Sequence, residues 1–223
     1  MKPIITHATC RTPEGVRLAL IQHDRDYFLM LGSGQLMSTN ACSSEQAMAD
    51  LACRQLPPQA ARILIGGFGF GFTLRRVLEV APPSAVVEVA ELLPQIIEWN
   101  RDYMDKINGR LLKESRVRIK MGDVYDLMSP KPADRYHAIL LDVDNSPDPL
   151  VQKGNGRLYA PPGLVRIRGA LHPHGRVVFW SANRDERFMT SLRNVFKHVE
   201  CVAAKAYPKA KYPSHTLFVA DRD

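Results

Sequence analysis

The sequence lacks the features that mark membrane proteins, secreted proteins and disulfide-rich proteins. It has no run of about 18 apolar residues, so no segment is expected to cross a membrane as a helix. Its first residues carry no signal-peptide pattern, and we therefore predict a cytoplasmic protein without a membrane partner. The four cysteines are scattered without Cys-X-X-Cys spacing, which argues against a disulfide scaffold and against a metal site.

The composition that remains is that of an ordinary globular protein. Hydrophobic residues make up 45% and charged residues 24% of the 223 positions, which suits one large domain with or without a small appendage. The chain has 30 Lys and Arg against 23 Asp and Glu, a net charge of +7. That charge permits a nucleic-acid partner but gives no specific sign of one, because it is spread along the chain.

The pattern of turns divides the chain into two parts. Residues 1–42 are typical of two β-hairpins, with turn signals at 13–15 and 32–34. Two hairpins do not make an independent core, so we expect them to pack on the rest of the chain or on a second copy, and we predict a homodimer. Residues 43–223 begin with a helix and then alternate short apolar strands with helices. This alternation predicts an α/β domain with a doubly wound, mostly parallel sheet that ends in an antiparallel hairpin.

A glycine-rich loop follows the first predicted strand of that sheet. Gly67, Gly69 and Gly71 stand between the strand and the next helix, where glycine lets the backbone approach a ligand and the helix offers free N–H groups. Glu88, at the predicted end of the second strand, can accept hydrogen bonds from the two hydroxyls of a ribose. The pair predicts a nucleoside-binding, Rossmann-like domain. A structural turn and a surface glutamate are the alternative interpretations.

A further acid follows the third predicted strand. Asp123, after Gly122, can accept a hydrogen bond from the amino group of an adenine. The alternative is that Asp123 caps a helix over residues 124–128. An NAD site is less favoured than another adenosine-type ligand, because the chain is short for a nicotinamide domain plus a catalytic domain.

The fourth predicted strand ends in a cluster of polar residues. Asp142 comes directly after the strand, and Asp144, Asn145 and Asp148 follow in a long loop. Clustered acids can raise one another's pKa, provide a general base, bind a cationic substrate or bind Mg²⁺. Loop chemistry alone also explains Asp, Asn, Ser and Pro in such a segment. We predict that Asp142 is the catalytic base, that the other three bind substrate and that the loop forms a lid.

The stretch from about residue 63 to residue 180 resembles the spermidine synthases, which are aminopropyltransferases with a methyltransferase-type fold. The matching segments are the glycine loop at 66–71, Val87-Glu88-Val89, Gly122-Asp123, the strand end at Asp142, and Leu158-Tyr159. The N-terminal hairpins also resemble the small β-domain of that family.

The resemblance implies roles for individual residues. Glu88 would hold the ribose of the donor, Asp123 its adenine, and Asp142 would take the proton of the attacking amine. Gln35 would match a glutamine of the donor site. The implied co-substrate is S-adenosylmethionine or its decarboxylated form, without a metal, and the implied acceptor is a small amine such as a polyamine. The family also implies a dimer.

The chain departs from the family at three positions that recognise amines. The glycine loop has Phe68 and Phe70 and no acid, Asn145 replaces an aspartate, and Ser44 stands where a tyrosine is expected. Two alternatives therefore stay open: an S-adenosylmethionine-dependent methyltransferase and a non-catalytic homologue that binds adenosyl nucleosides. A methyltransferase must accommodate the carboxylate of its donor, which the N–H groups of a glycine loop can do.

Overall fold

The computed structural model describes residues 3–143 and 156–223, which form two sheets. The smaller is an antiparallel four-stranded sheet whose strands are neighbours in chain order. Its strands are β1 (Ile4–Arg11), β2 (Arg17–His23), β3 (Asp26–Leu31) and β4 (Gly34–Ser38). The predicted boundary at residue 42 falls between β4 and the first helix.

The small sheet packs against the rest of its own chain. Leu18, Leu20 and Leu29 are almost fully buried and belong to the same core cluster as side chains of the larger domain. The hairpins were expected to pack on the rest of the chain or on a second copy, and the structure shows packing on the rest of the chain. Ile4 and Ile5 remain 66% and 48% exposed at the outer strand. Self-association through such residues stays a prediction.

The larger sheet has seven strands in the order β10-β11-β9-β8-β5-β6-β7. The five strands from β9 to β7 are parallel to one another, whereas β11 runs antiparallel to β9 and to β10. Its strands are β5 (Arg62–Gly66), β6 (Val86–Glu91), β7 (Val117–Met121), β8 (Tyr136–Leu141), β9 (Leu171–Ser181), β10 (His198–Ala204) and β11 (His215–Asp221). The predicted mostly parallel sheet with a terminal antiparallel hairpin is confirmed.

Helices cover both faces of this sheet. They are α1 (Ser43–Cys53), α2 (Phe72–Val80), α3 (Pro94–Tyr103), α4 (Val124–Leu127), α5 (Gly156–Tyr159), α6 (Pro161–Ala170) and α7 (Glu186–Arg193). In β5, Ile63 and Ile65 contribute to the core beneath α1, α2 and α3, while Leu64 contributes to the core beneath the later helices. Alternate residues of a strand face opposite sides, so a strand buried on both faces is apolar throughout.

The order of the strands reverses at β5, and this positions the site. The chain proceeds from β5 outward to β6 and β7, and then crosses back to β8 on the other side of β5. The carboxyl ends of β5, β6, β7 and β8 therefore meet at one edge, where doubly wound sheets bind ligands. No helix among the described residues is long and apolar enough to cross a membrane.

Pro173 and Gly175 are turn-forming residues and predict a turn at 172–175, but the structure contradicts this prediction. These residues lie within β9, whose pairing with β8 shifts between Tyr136 and Ala138. His174 has a φ of 60°, a left-handed backbone conformation that is uncommon outside glycine. The Pro and Gly of this segment thus signal a β-bulge inside a strand, which can be mistaken for a turn between two elements.

Candidate active site

A cavity of about 200 Å³ lies at the carboxyl edge of the large sheet. One wall consists of the segments that follow β5, β6, β7 and β8, and the opposite wall consists of residues from β2, β3, β4 and the start of α1. Of the residues predicted from the sequence, those that line it are Gln35, Gly67, Gly69, Asp123 and Asp142. Gly71 and Glu88 are not among the lining residues.

The glycine loop is held tightly against its neighbours. The N–H of Gly67 donates to the carbonyl of Ala90 at 2.9 Å, and the N–H of Phe68 donates to the carboxylate of Glu91 at 2.9 Å. Gly67 has a φ of +88°, and a Cβ there would overlap the carbonyl oxygen of Asp142. The loop therefore requires glycine at position 67 for backbone conformation and for space.

Gly71 supports the loop from behind. It is the N-cap residue of α2 with a φ of 76°, and a Cβ on it would lie 3.2 Å from the ring of Phe68. Gly71 was predicted to contact the donor. In the structure it lies at the start of α2, outside the cavity lining, where it has a structural role. The interpretation as a tight structural turn thus applies to this glycine, although Gly67 and Gly69 face the cavity.

The prediction that Glu88 ends the second strand is wrong. Strand β6 continues to Glu91, and Glu88 lies in its middle. One carboxylate oxygen of Glu88 accepts hydrogen bonds from Arg62 at 3.1 Å and from the hydroxyl of Tyr136 at 2.8 Å. Burial of the Tyr136 hydroxyl and its hydrogen bond to Glu88 raise the pKa of Tyr136. Glu88 thus links three strands of the sheet away from the cavity.

Glu91 occupies the strand-end position that was assigned to Glu88. Its side chain lines the cavity and is 7% exposed. Its two oxygens accept hydrogen bonds from the N–H groups of Phe68 and Leu93, both at 2.9 Å. Burial raises the pKa of Glu91, and these N–H groups oppose that rise. The sequence analysis missed Glu91 because the predicted strand ended two residues too early.

Asp123 caps a helix, as the alternative interpretation predicted. Its Oδ1 accepts a hydrogen bond from the N–H of Tyr125 at 2.8 Å at the start of α4. Its Oδ2 lies 2.8 Å from the guanidinium of Arg157. Asp123 also lines the cavity. Carboxylate oxygens carry two lone pairs each, so capping leaves acceptor capacity for a ligand.

Asp142 follows β8 directly and faces Thr73 of α2. Its N–H donates to the carbonyl of Gly66 at 3.0 Å, and its carboxylate accepts a hydrogen bond from the Thr73 hydroxyl at 3.3 Å. Burial and the nearby charge of Glu45 raise the pKa of Asp142 to about 7, although the Thr73 hydrogen bond opposes the rise. The predicted substrate residues Asp144, Asn145 and Asp148, and with them the predicted lid, lie outside the described residues.

Glu45 is a second cavity residue that the sequence analysis missed. It lies in the first turn of α1 and is 7% exposed, and its Oε2 accepts a hydrogen bond from the Ser44 hydroxyl at 2.6 Å. Burial raises the pKa of Glu45. The signal was available, because Glu45 shares the buried helix face of Met48, Ala49 and Ala52 at helical spacing. A carboxylate at the head of an apolar stripe is unusual and indicates a site.

Four carboxyl groups line the cavity of this positively charged protein. Glu45, Glu91, Asp123 and Asp142 line it, and no Lys or Arg does so among the described residues. The cavity lining also includes Trp180 of β9 and His215 of β11, whose ring centroids are 4.8 Å apart. Burial lowers the pKa of His215, so this ring is neutral near pH 7. The arrangement suits a cationic ligand with apolar parts.

The raised pKa of Asp142 predicts a pH-dependent stability. In the unfolded chain Asp142 loses its proton near pH 3.8. In the folded protein it keeps this proton until the pH passes about 7. The stabilisation is therefore complete below about pH 4 and is lost as the pH rises through about 7. At about 1.4 kcal/mol per pH unit, this loss approaches at most about 4 kcal/mol at pH 8.

Urea unfolding at pH 5 and pH 8 measures this effect. We expect Asp142→Asn to be stabilised relative to the wild type at pH 8 and much less so at pH 5. An Asp105→Asn variant, at an exposed carboxylate, is the control. The same pH dependence in wild type and Asp142→Asn would show that Asp142 has an ordinary pKa.

Comparisons with known proteins agree with the observed fold. No family model matches the chain, and no curated protein does. A spermidine synthase from Thermotoga maritima superposes with a TM-score of 0.76 at 16% identity, over 98% of this chain and 73% of that one. A spermidine synthase in complex with the transition-state analogue AdoDATO gives 0.74 at 16% identity, over 98% and 72% of the two chains.

A third similar structure is a probable spermidine synthase from Corynebacterium glutamicum. It superposes with a TM-score of 0.68 at 16% identity, over 99% of this chain and 81% of that one. The chain therefore has the spermidine synthase-like fold over nearly its whole length, as the resemblance predicted.

Proposed function

We propose that this chain is an aminopropyltransferase that uses decarboxylated S-adenosylmethionine as donor and a small amine as acceptor. The observation that carries the proposal is the charge of the cavity, which has four carboxylates and no Lys or Arg among its described lining residues. The donor is a sulfonium with an ammonium group and the acceptor is an amine, so both are cations. The spermidine synthase-like fold supports the same reaction class.

The glycine loop favours the decarboxylated donor over S-adenosylmethionine. A carboxylate on the donor would need free N–H groups, but Gly67 and Phe68 already donate theirs to Ala90 and Glu91. Gly71 donates its own N–H to the carbonyl of Phe68 at 2.8 Å. The loop thus has little remaining capacity for an anion, and the acids nearby would repel one. A methyltransferase is the less favoured alternative for this reason.

Glu91 is the residue that we assign to the ribose. Its carboxylate is fixed by two backbone N–H groups, and each oxygen keeps a second lone pair for a ribose hydroxyl. Asp123 is assigned to the adenine and Gln35, on β4 at the cavity, to the donor as well. These assignments place the nucleoside along the carboxyl ends of β6 and β7.

Asp142 is the proposed base. An amine acceptor must lose one proton before its nitrogen can attack, and a carboxylate with a pKa of about 7 can take that proton near neutral pH. The nitrogen then forms a bond to the carbon beside the sulfonium, and the C–S bond breaks with its electron pair going to sulfur. The products are methylthioadenosine and a secondary ammonium. The protein contributes orientation and the base, while the donor contributes the reactive carbon.

Release of methylthioadenosine tests the proposal directly. We would incubate the protein with a panel of diamines and either decarboxylated S-adenosylmethionine or S-adenosylmethionine. The proposal requires methylthioadenosine with the decarboxylated donor only. Methyl transfer from S-adenosylmethionine would establish the alternative enzyme, and binding of methylthioadenosine without turnover on any amine would favour the non-catalytic homologue.

A matched pair of variants tests the ribose assignment. Glu91→Gln is expected to weaken methylthioadenosine binding by about 10- to 100-fold, because hydrogen bonds to a charged group are lost. Glu88→Gln, on the same strand but outside the cavity, is expected to stay within about twofold of wild type. Calorimetry with methylthioadenosine and its 2′,3′-dideoxy analogue measures both effects. A larger loss of methylthioadenosine affinity in Glu88→Gln than in Glu91→Gln would instead assign the ribose to Glu88.

A further inference from the structure

Two carboxyl groups in the cavity have no cation to balance them among the described residues. Glu45 accepts a hydrogen bond from the Ser44 hydroxyl and one from a backbone N–H, and Asp142 accepts one from the Thr73 hydroxyl. Neither of the two acids takes part in any of the ion pairs of the described residues. Both carboxyl groups keep acceptor capacity for a ligand, because each carboxylate oxygen has two lone pairs and the partners named here are neutral.

These two acids also act on each other. They approach from different elements, Glu45 from α1 and Asp142 from the end of β8, and both line the same cavity. Helix α1 packs against β8, and the charge of Glu45 raises the pKa of Asp142. Burying two like charges without a partner destabilises the folded protein. A cation bound between them would remove that cost.

The wall beside the acids suits the apolar part of an amine. Trp180 and His215 stack in a tilted arrangement at the cavity, and the indole N–H of Trp180 has no hydrogen-bond partner within the described residues. His215 is neutral and so does not compete with a bound cation. Aromatic faces accommodate methylene groups and attract ammonium ions.

We propose that Glu45 is a specificity-determining residue, which together with Asp142 holds the ammonium group of a substrate amine. The inference rests on the proposed function, since both the donor and the acceptor of that reaction carry such a group. Glu45 contributes the acid that the glycine loop lacks, from helix α1. It acts by positioning the amine, and Asp142 takes the proton.

Calorimetry with three ligands separates the two sources of the ammonium group. The ligands are methylthioadenosine, which has no amine, decarboxylated S-adenosylmethionine, and 1,4-diaminobutane added with and without methylthioadenosine. Glu45→Gln keeps the shape of the side chain and removes its charge. We expect it to leave methylthioadenosine affinity within about twofold and to weaken at least one amine by about 10- to 100-fold. Glu98→Gln, at an exposed glutamate of α3, is the matched control.

The ligand that loses affinity identifies the subsite. A loss with the decarboxylated donor alone assigns Glu45 to the donor ammonium, and a loss with the diamine alone assigns it to the acceptor. Unchanged affinity for both amines in Glu45→Gln overturns the inference, and so does a wild type that binds neither amine. A wild type that binds the diamine through Glu45 but binds no adenosine ligand refutes the proposed function and leaves the inference standing.

The pH profile of turnover distinguishes a positioning role from a structural one. The other titratable groups that line the cavity with Asp142 are Glu45, Glu91, Asp123 and His215, and Thr73 donates a hydrogen bond to Asp142. Removing the charge of Glu45 lowers the pKa of Asp142, so the acidic limb of the profile should move to lower pH in Glu45→Gln. An unmoved limb would contradict the pairing of the two acids. Ser44→Ala is the second variant if Glu45→Gln fails to fold, because it removes the hydroxyl partner of Glu45. It should change the affinity for amines and leave the affinity for methylthioadenosine unchanged. No change in the affinity for amines would count against the inference.

Discussion

Replacement of Asp142 by asparagine is expected to reduce turnover by about 10²- to 10⁴-fold, with donor affinity close to that of the wild type. The amide keeps the shape of the side chain and removes both its charge and its ability to accept the proton of the amine. Asp142 is the cavity acid that follows β8, and its pKa of about 7 makes it half-ionised at neutral pH. The expected loss is therefore in the chemical step, which steady-state assays of methylthioadenosine release would show as a lower kcat.

The control for this experiment is a variant of a carboxylate outside the cavity. Asp105 is exposed, and Asp105→Asn should retain wild-type turnover. Methylthioadenosine affinity, measured on the same samples, reports whether the donor site of each variant is intact. Wild-type turnover in Asp142→Asn would eliminate Asp142 as the base and leave Asp144 and Asp148, beyond the described residues, as the acids to test next.

Replacement of Gly67 by alanine is expected to reduce turnover by at least about 10²-fold, because a displacement of about 1 Å in a catalytic group has effects of that size. The added Cβ would overlap the carbonyl oxygen of Asp142, so that the backbone carrying the base must move. The φ of +88° adds strain, since side chains other than hydrogen are disfavoured there. We expect a lower melting temperature and weaker methylthioadenosine binding together with the loss of turnover.

Gly15→Ala separates the overlap from the strain. Gly15 has a similar φ of +80°, lies in a turn of the small sheet, and has nothing within 4 Å of an added Cβ. This variant should lose about 1–2 kcal/mol of stability from backbone strain and keep its turnover. If Gly67→Ala behaves like Gly15→Ala in both assays, the loop does not hold Asp142 in place.

The sequence predicted those features that depend on local patterns. Apolar strands such as 63–65 alternate with helices over the second part of the chain, and this pattern was sufficient to predict the parallel sheet and its terminal hairpin. Asp142 could be placed correctly because it directly follows an apolar strand, Tyr136–Leu141, whose end is easy to recognise. Loop residues at the carboxyl end of such a strand reach the ligand edge by topology alone.

The positions that sequence analysis missed depend on exact strand length and on contacts between distant segments. Val86–Glu91 contains two glutamates, and an error of two residues in the predicted strand end led to Glu88, and not Glu91, being taken as the strand-end acid. Glu88 and Glu91 are separated by an odd number of positions, and side chains alternate along a strand, so the two acids lie on opposite faces of the sheet. Glu45 was not assigned to the site from the sequence because α1 and β8, which bring Glu45 and Asp142 to one cavity, are far apart in the chain.

The apolar wall of the cavity is at the same time the surface of the hydrophobic core. Leu18 and Leu29 line the cavity, yet each is at most 2% exposed and belongs to the main core cluster. A change at either position that enlarged the binding space would also cost about 2–5 kcal/mol of folding stability. A change of substrate by mutation of these leucines would need other mutations that restore the lost folding stability. Gln35 lies on an exposed stretch of β4 at the same cavity, and substitutions there carry no such penalty. With respect to folding stability, Gln35 is therefore a less constrained position for a change of specificity than Leu18 or Leu29.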